Sequence, residues 1–153
     1  MAKHIGQSGS FSLSLSEFAK QATDAIDASL REIVISIGGS LIRMSPVDTG
    51  RFRGNWQFSI DAPASGTLSN IDREGDSTLA RIVGDSIEFK AGTTAYIVNN
   101  LPYALVLEFG GYNGPTEKVT DDGYSRQAPK GMVRVTKARF QRIVEEAIRN
   151  NSV

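Results

Sequence analysis

"SPVDTGRFRGNW", Ser45 to Trp56, separates two regimes of hydrophobic spacing. Upstream, apolar residues recur every three or four positions, at Leu15, Phe18, Ala22, Ile26, Leu30, Ile33, Ile37, Leu41 and Met44. That spacing predicts one long amphipathic helix. Downstream, Trp56, Phe58 and Ile60 alternate with Asn55, Gln57 and Ser59, the period of a half-buried strand. The joint itself is built to stop and turn. Pro46 pushes Ser45 out of helical geometry. "VDTG" reads as a turn, in which the Asp48 carboxylate can bond the backbone that follows and Gly50 supplies freedom. Arg51 and Arg53, two positions apart, fall on one side of an extended segment. Such a joint is either an active-site loop or a rigid corner that presents charge on a scaffold.

The helix start is set by Ser14 and Glu17, which have capping-box spacing. Residues 1–13, polar and rich in Gly and Ser, read as a loose, flexible arm. Gly38-Gly39 weakens the helix near its end by about 1 kcal/mol per glycine, a place for a kink. Residues 14–150 form a single domain. After the first strand, Asp76 or Ser77 can cap a second helix carrying Leu79, Ile82, Val83 and Ile87. "TTAYIVNN" is β-branched and aromatic, a strand ending in an Asn-Asn turn. "LPYALVLEFGG" is a short helix that stops at Gly110-Gly111. Residues 111–127 have no periodicity and form a long loop, of the kind that is functional or disordered. Pro129 suits the first turn of a last helix, with Val133, Phe140, Val144, Ala147 and Ile148 as its apolar face. The class is α+β: a long N-terminal and a C-terminal helix on a small, mainly antiparallel sheet, with one or two short helices.

A chain of 153 residues can bury a core without disulfides or metal. It contains no cysteine, which removes thiolate chemistry and cysteine-ligated metal and fits a reducing compartment. No apolar run has the length of a membrane span, and the N-terminal stretch lacks a signal-peptide pattern. Seventeen basic residues balance seventeen acidic ones, so no bulk charge draws the whole protein to nucleic acid. The charge is nevertheless segregated. Arg126, Lys130, Arg134, Lys137, Arg139 and Arg142 follow one another with no acid between them, whereas acids predominate from Asp61 to Glu88. Separated patches suit directional protein contacts, or a local surface facing DNA.

Residues for catalysis are sparse. The one histidine, His4, lies in the expected loose arm, which does not hold a base in place beside a nucleophilic serine, and it has no partner at metal-ligand spacing. "DREGD" (Asp72 to Asp76) lacks the ligand spacing of a calcium loop and reads as a solvated loop. Glu145 and Glu146 are adjacent on a helix and diverge. The glycine pairs sit at helix ends, where backbone geometry accounts for them. Trp56 is a core residue rather than a base-stacking one. Lys130, Arg134 and Lys137 share one face of the expected last helix. They form either a solvated face or a docking or DNA-facing stripe. No catalytic, metal or cofactor-binding residue is expected.

Two segments, "SPVDTGRFRGNW" after a long helix and "YIVNNLPYALVLEFG…SRQAPKGMVRVTKARF" before the terminal one, resemble the neck or tail-completion (head-tail joining) proteins of long-tailed bacteriophages. The resemblance spans about residues 15–148. The insert "GYNGPTEKVTDDGY" (Gly111 to Tyr124) departs from the pattern. The resemblance implies a structural virion protein without covalent chemistry or cofactor, a homo-oligomeric ring, a hexamer, at the neck between head-tail connector and tail tube. It implies assembly in the host cytoplasm and no membrane contact. In that setting the corner of Pro46, Asp48, Gly50 and Trp56 is scaffold. Arg51, Arg53, Arg126, Lys130, Arg134 and Lys137 are the candidates for contact with neighbouring subunits, with connector or tail proteins, or non-specifically with packaged DNA. The alternatives are a tail terminator ring and a small DNA-binding module using the basic C-terminal helix.

Overall fold

The structure, a computed structural model, describes residues 2–111 and 116–152. Helix α1 (Ala2–Met44) leads into a 3-10 turn at Arg53–Asn55 and strand β1 (Trp56–Ile60). Helix α2 (Asp76–Asp85), a second 3-10 turn (Ser86–Glu88), strand β2 (Ala95–Asn99) and helix α3 (Ala104–Phe109) follow. A third 3-10 turn (Thr116–Lys118) precedes α4 (Val133–Ala138) and α5 (Phe140–Asn150). The fold is α+β, as the sequence pattern predicts. β1 and β2 form a two-stranded antiparallel sheet, with Trp56 opposite Asn99 and Ile60 opposite Ala95. Among the described residues no helix is long and apolar enough to cross a membrane.

α1 is the spine. Its C-terminal half packs against α2, α4, α5 and β1, burying Val34, Leu41 and Ile42 in a core with Phe52, Trp56, Phe58, Ile82, Phe89, Leu101, Leu107 and Met132. The helix runs unbroken through Gly38-Gly39. A Cβ on Gly38 would stand 3.3 Å from the Ile82 side chain, so the bare backbone there admits α2 rather than marking a break. Ile82 is fully buried. A buried hydrogen bond of 2.8 Å between the Ser40 and Thr136 hydroxyls ties α1 to α4.

Several boundaries differ from the sequence pattern. The helix begins at Ala2, not at Ser14, so the backbone of the expected arm is helical. A capping box marks where a helix can start, but nothing before Pro46 forbids it from starting earlier. The last helix begins at Val133, beyond Pro129, and is divided at Arg139, which closes α4 and opens α5. Neither Asp76 nor Ser77 caps α2. Asp72 does so from outside the helix, accepting hydrogen bonds at its two carboxylate oxygens from the Gly75 N–H (2.9 Å) and from the Thr78 N–H (2.8 Å) and hydroxyl (2.7 Å). Gly75 at φ 88° makes the approach possible, where a Cβ would collide with Ile42. Part of the long loop is ordered. Val119 bridges Ser125, and hydrogen bonds from the Thr120 N–H to the Tyr124 carbonyl and from the Arg126 N–H to the Lys118 carbonyl make a small hairpin. The centre of the insert, 112–115, lies outside the described residues.

Candidate functional site

The corner from Ser45 to Trp56 is clamped from several sides. The Ser45 hydroxyl donates to the Leu41 carbonyl (2.6 Å) and accepts from the Trp56 indole N–H (2.7 Å), so one buried side chain joins the end of α1 to the start of β1. Phe52 packs edge-on against Trp56, with ring centroids 5.8 Å apart. Arg53 turns inward. Its guanidinium donates to the carbonyls of Ser45 (2.9 Å), Arg43 (3.3 Å) and Arg73 (2.8 Å). The last carbonyls of a helix have no intrahelical donor, and here an arginine eight residues on supplies it. Asn55, with no exposed surface, donates to the Arg51 and Leu68 carbonyls and accepts from the Leu68 N–H. That amide pins the loop after β1 against the corner.

Two expectations for the corner are corrected by this geometry. The Asp48 side chain makes no hydrogen bond among the described residues; the turn is held instead by the Thr49 hydroxyl, which accepts from the Arg51 N–H (3.2 Å). Arg73 adds a bond to the Asp48 carbonyl. Gly50 is required by shape. Its φ is 99°, and a Cβ would come within 2.6 Å of the Arg73 nitrogen. Nor do Arg51 and Arg53 share a side. The chain turns at Arg51 and Phe52 and enters the 3-10 turn at Arg53 rather than running extended, so Arg51 is exposed while Arg53 is consumed by the clamp.

The two distant motifs meet. The Gln127 side-chain amide accepts from the Val47 N–H (2.8 Å) and donates to the Val47 carbonyl (2.9 Å), bonding across 80 residues as a strand partner would. Between these segments lies a cleft of about 640 Å³. Phe52 and Leu107 line it together with Tyr103, and Arg51, Arg126 and Asp48 are among its other walls. Arg51 and Arg126 are both exposed, and neither guanidinium group has a hydrogen-bond or ion-pair partner among the described residues.

Below the cleft, Glu108 fastens α3 to α4. It is buried, and its carboxylate accepts from three successive backbone N–H groups, Met132 (2.7 Å), Val133 (2.9 Å) and Arg134 (2.9 Å), and from the Arg134 side chain (3.3 Å). Burial pushes its pKa up. The hydrogen bonds from Met132, Arg134 and Val133 outweigh that and hold the carboxyl below the usual glutamate value. Arg134 also donates to the Glu108 carbonyl and to the Tyr124 hydroxyl, and its guanidinium lies 5.3 Å and 5.5 Å from the Phe109 and Tyr124 ring centres. Gly131, at φ 79°, completes the fit: a Cβ there would lie 2.7 Å from the Glu108 carboxylate.

The expected basic stripe is therefore divided. Lys130 lies in the turn before α4, not on a helix face, and Arg134 is half of the Glu108 lock. Lys137 remains exposed on α4. Glu108, Gln127 and Asp72 carry more of the architecture than their sequence reading assigns. The one local hint is Glu108, a lone charge inside the apolar run "ALVLEF". Among the described residues no three His, Cys, Asp or Glu side chains are placed to hold a metal ion. Comparison of the chain with protein-family models, with curated proteins and with solved structures finds no match.

Proposed function

We propose that this chain is a structural virion protein of a long-tailed bacteriophage, a ring-forming neck or tail-completion subunit that helps join tail to head. The observation that carries this reading is apolar surface the subunit leaves uncovered. Leu15, Phe18 and Ile26, on one stripe of α1, are 53%, 60% and 53% exposed, and Leu105 and Phe109 on α3 are 70% and 62% exposed. Clustered apolar exposure of this kind marks surfaces that meet other proteins. The corner supports the same role. Its conformation is over-determined by buried hydrogen bonds, and what it offers outward is the cleft with Arg51 and Arg126. In the proposed ring, a hexamer, the apolar stripes meet neighbouring copies and the cleft faces the head-tail connector or the tail tube. The ring would belong to the neck of the virion and assemble in the host cytoplasm.

The test is reconstitution. Heads and tails of the encoding phage, assembled without this protein, should stay separate, and purified protein should restore joined particles counted by electron microscopy. Arg51→Glu with Arg126→Glu, both at exposed positions, should fold normally and fail to restore joining. Full joining without the protein would refute the role.

A further inference from the structure

A second basic site lies away from the corner. α1, α2 and α5 enclose a cleft of about 380 Å³ whose walls carry Arg43, Arg139 and Arg142. They come from two distant parts of the chain: Arg43 from the last turn of α1, and Arg139 and Arg142 from the α4–α5 junction and the first turn of α5. All three side chains are exposed. None of the guanidinium groups makes a hydrogen bond or ion pair among the described residues, where Arg134–Glu108 is the only salt bridge. Glu146 is the single acid on the lining, so the cleft carries an excess of two positive charges. Like charges gathered in a concave site repel one another and raise the local concentration of anions.

We propose that this cleft binds the phosphate backbone of nucleic acid, without reading its sequence. Three guanidinium forks are well suited to phosphate oxygens. The apolar residues on its lining, Ile35, Leu79 and Ile143, are all partly buried. None of the strongly exposed apolar side chains of the chain is among them, so the cleft lacks the protruding apolar anchor that a protein partner uses. It carries no Asn or Gln for bidentate recognition of adenine. The site is distinct from the stripe of Lys130, Arg134 and Lys137, and it stands apart from the joining role: DNA binding can fail while rings still form.

The experiment is fluorescence anisotropy of the full chain with a labelled mixed-sequence DNA duplex, titrated across a series of salt concentrations. Three phosphate contacts give a slope of log K against log salt of about −2.7. The double variant Arg139→Gln/Arg142→Gln should flatten that slope to about −0.9, while Lys130→Gln/Lys137→Gln should leave it unchanged. Circular dichroism melts confirm that both variants fold. Polyglutamate and inorganic phosphate serve as competitors and should displace the duplex poorly. Absence of binding, equal loss in the control variant, or displacement by polyglutamate as effective as by unlabelled duplex would each overturn the proposal. So would inorganic phosphate binding as tightly as the duplex, which would assign the site to free phosphate.

Discussion

Glu108 shows how much can rest on one side chain. A buried carboxylate is costly unless its lone pairs are filled, and here the first N–H groups of α4 fill them. The negative charge also sits at the positive end of that helix. Glu108→Ala should cost about 2–3 kcal/mol, the range for a hydrogen-bonded charged group whose partners are left unpaired. The acid response follows from the direction of the shift. Glu108 and Asp72 both have pKa values lowered in the folded state, Asp72 because bonds from Thr78 and its neighbours overcome the effect of burial. Each contributes stability that is fully present above the ordinary carboxylate range, near 4, and is lost as pH falls through the lowered folded value. Chemical denaturation followed against pH should show this decline, and Glu108→Gln should flatten it. An unchanged slope would mean that Glu108 is not charged in the fold. At Asp48, by contrast, only the backbone is held, so Asp48→Ala should move stability by no more than about 0.5 kcal/mol.

At the scale of elements, the legible parts are those fixed by local rules. The period of α1, the alternation of β1, the β-branched run of β2 and the glycine stop after α3 are all visible in the chain, because each depends on neighbours in sequence. The illegible parts depend on how the backbone turns between residues several positions apart. Asp72 becomes the α2 cap only because Gly75 takes a left-handed turn that folds the carboxylate back over Thr78. Arg53 leaves the surface because the carbonyls of Arg43 and Ser45 end beside it. The division at Arg139 is not marked by any glycine or proline. The α2 cap makes a direct comparison possible. Asp72→Ala should lower stability by about 1 kcal/mol, whereas Asp76→Ala should leave the melting midpoint nearly unchanged. The reverse order would restore Asp76 as the cap. At the corner, Trp56→Ala should cost about 3–5 kcal/mol as a large core residue is removed.

At the scale of the whole molecule, the interior is well tied together while the outside is unfinished. Hydrogen bonds tie the corner to Gln127 and α3 to α4, yet apolar side chains stand exposed along α1 and α3. The balanced net charge fits association of copies better than a protein that coats DNA, and it leaves the arginine cleft as a local feature. Reversing Arg134 and Lys137 to Glu would not be a clean test of a basic surface, since a glutamate at 134 would face Glu108 and weaken the fold itself. The exposed stripe on α1 can be changed without touching the core. Native mass spectrometry of the purified chain, alone and mixed with tail tubes, therefore tests self-assembly most directly. A closed ring of identical copies is expected, which Leu15→Ser/Phe18→Ser reduces to folded monomers; a wild-type chain that remains monomeric in both settings would contradict ring formation.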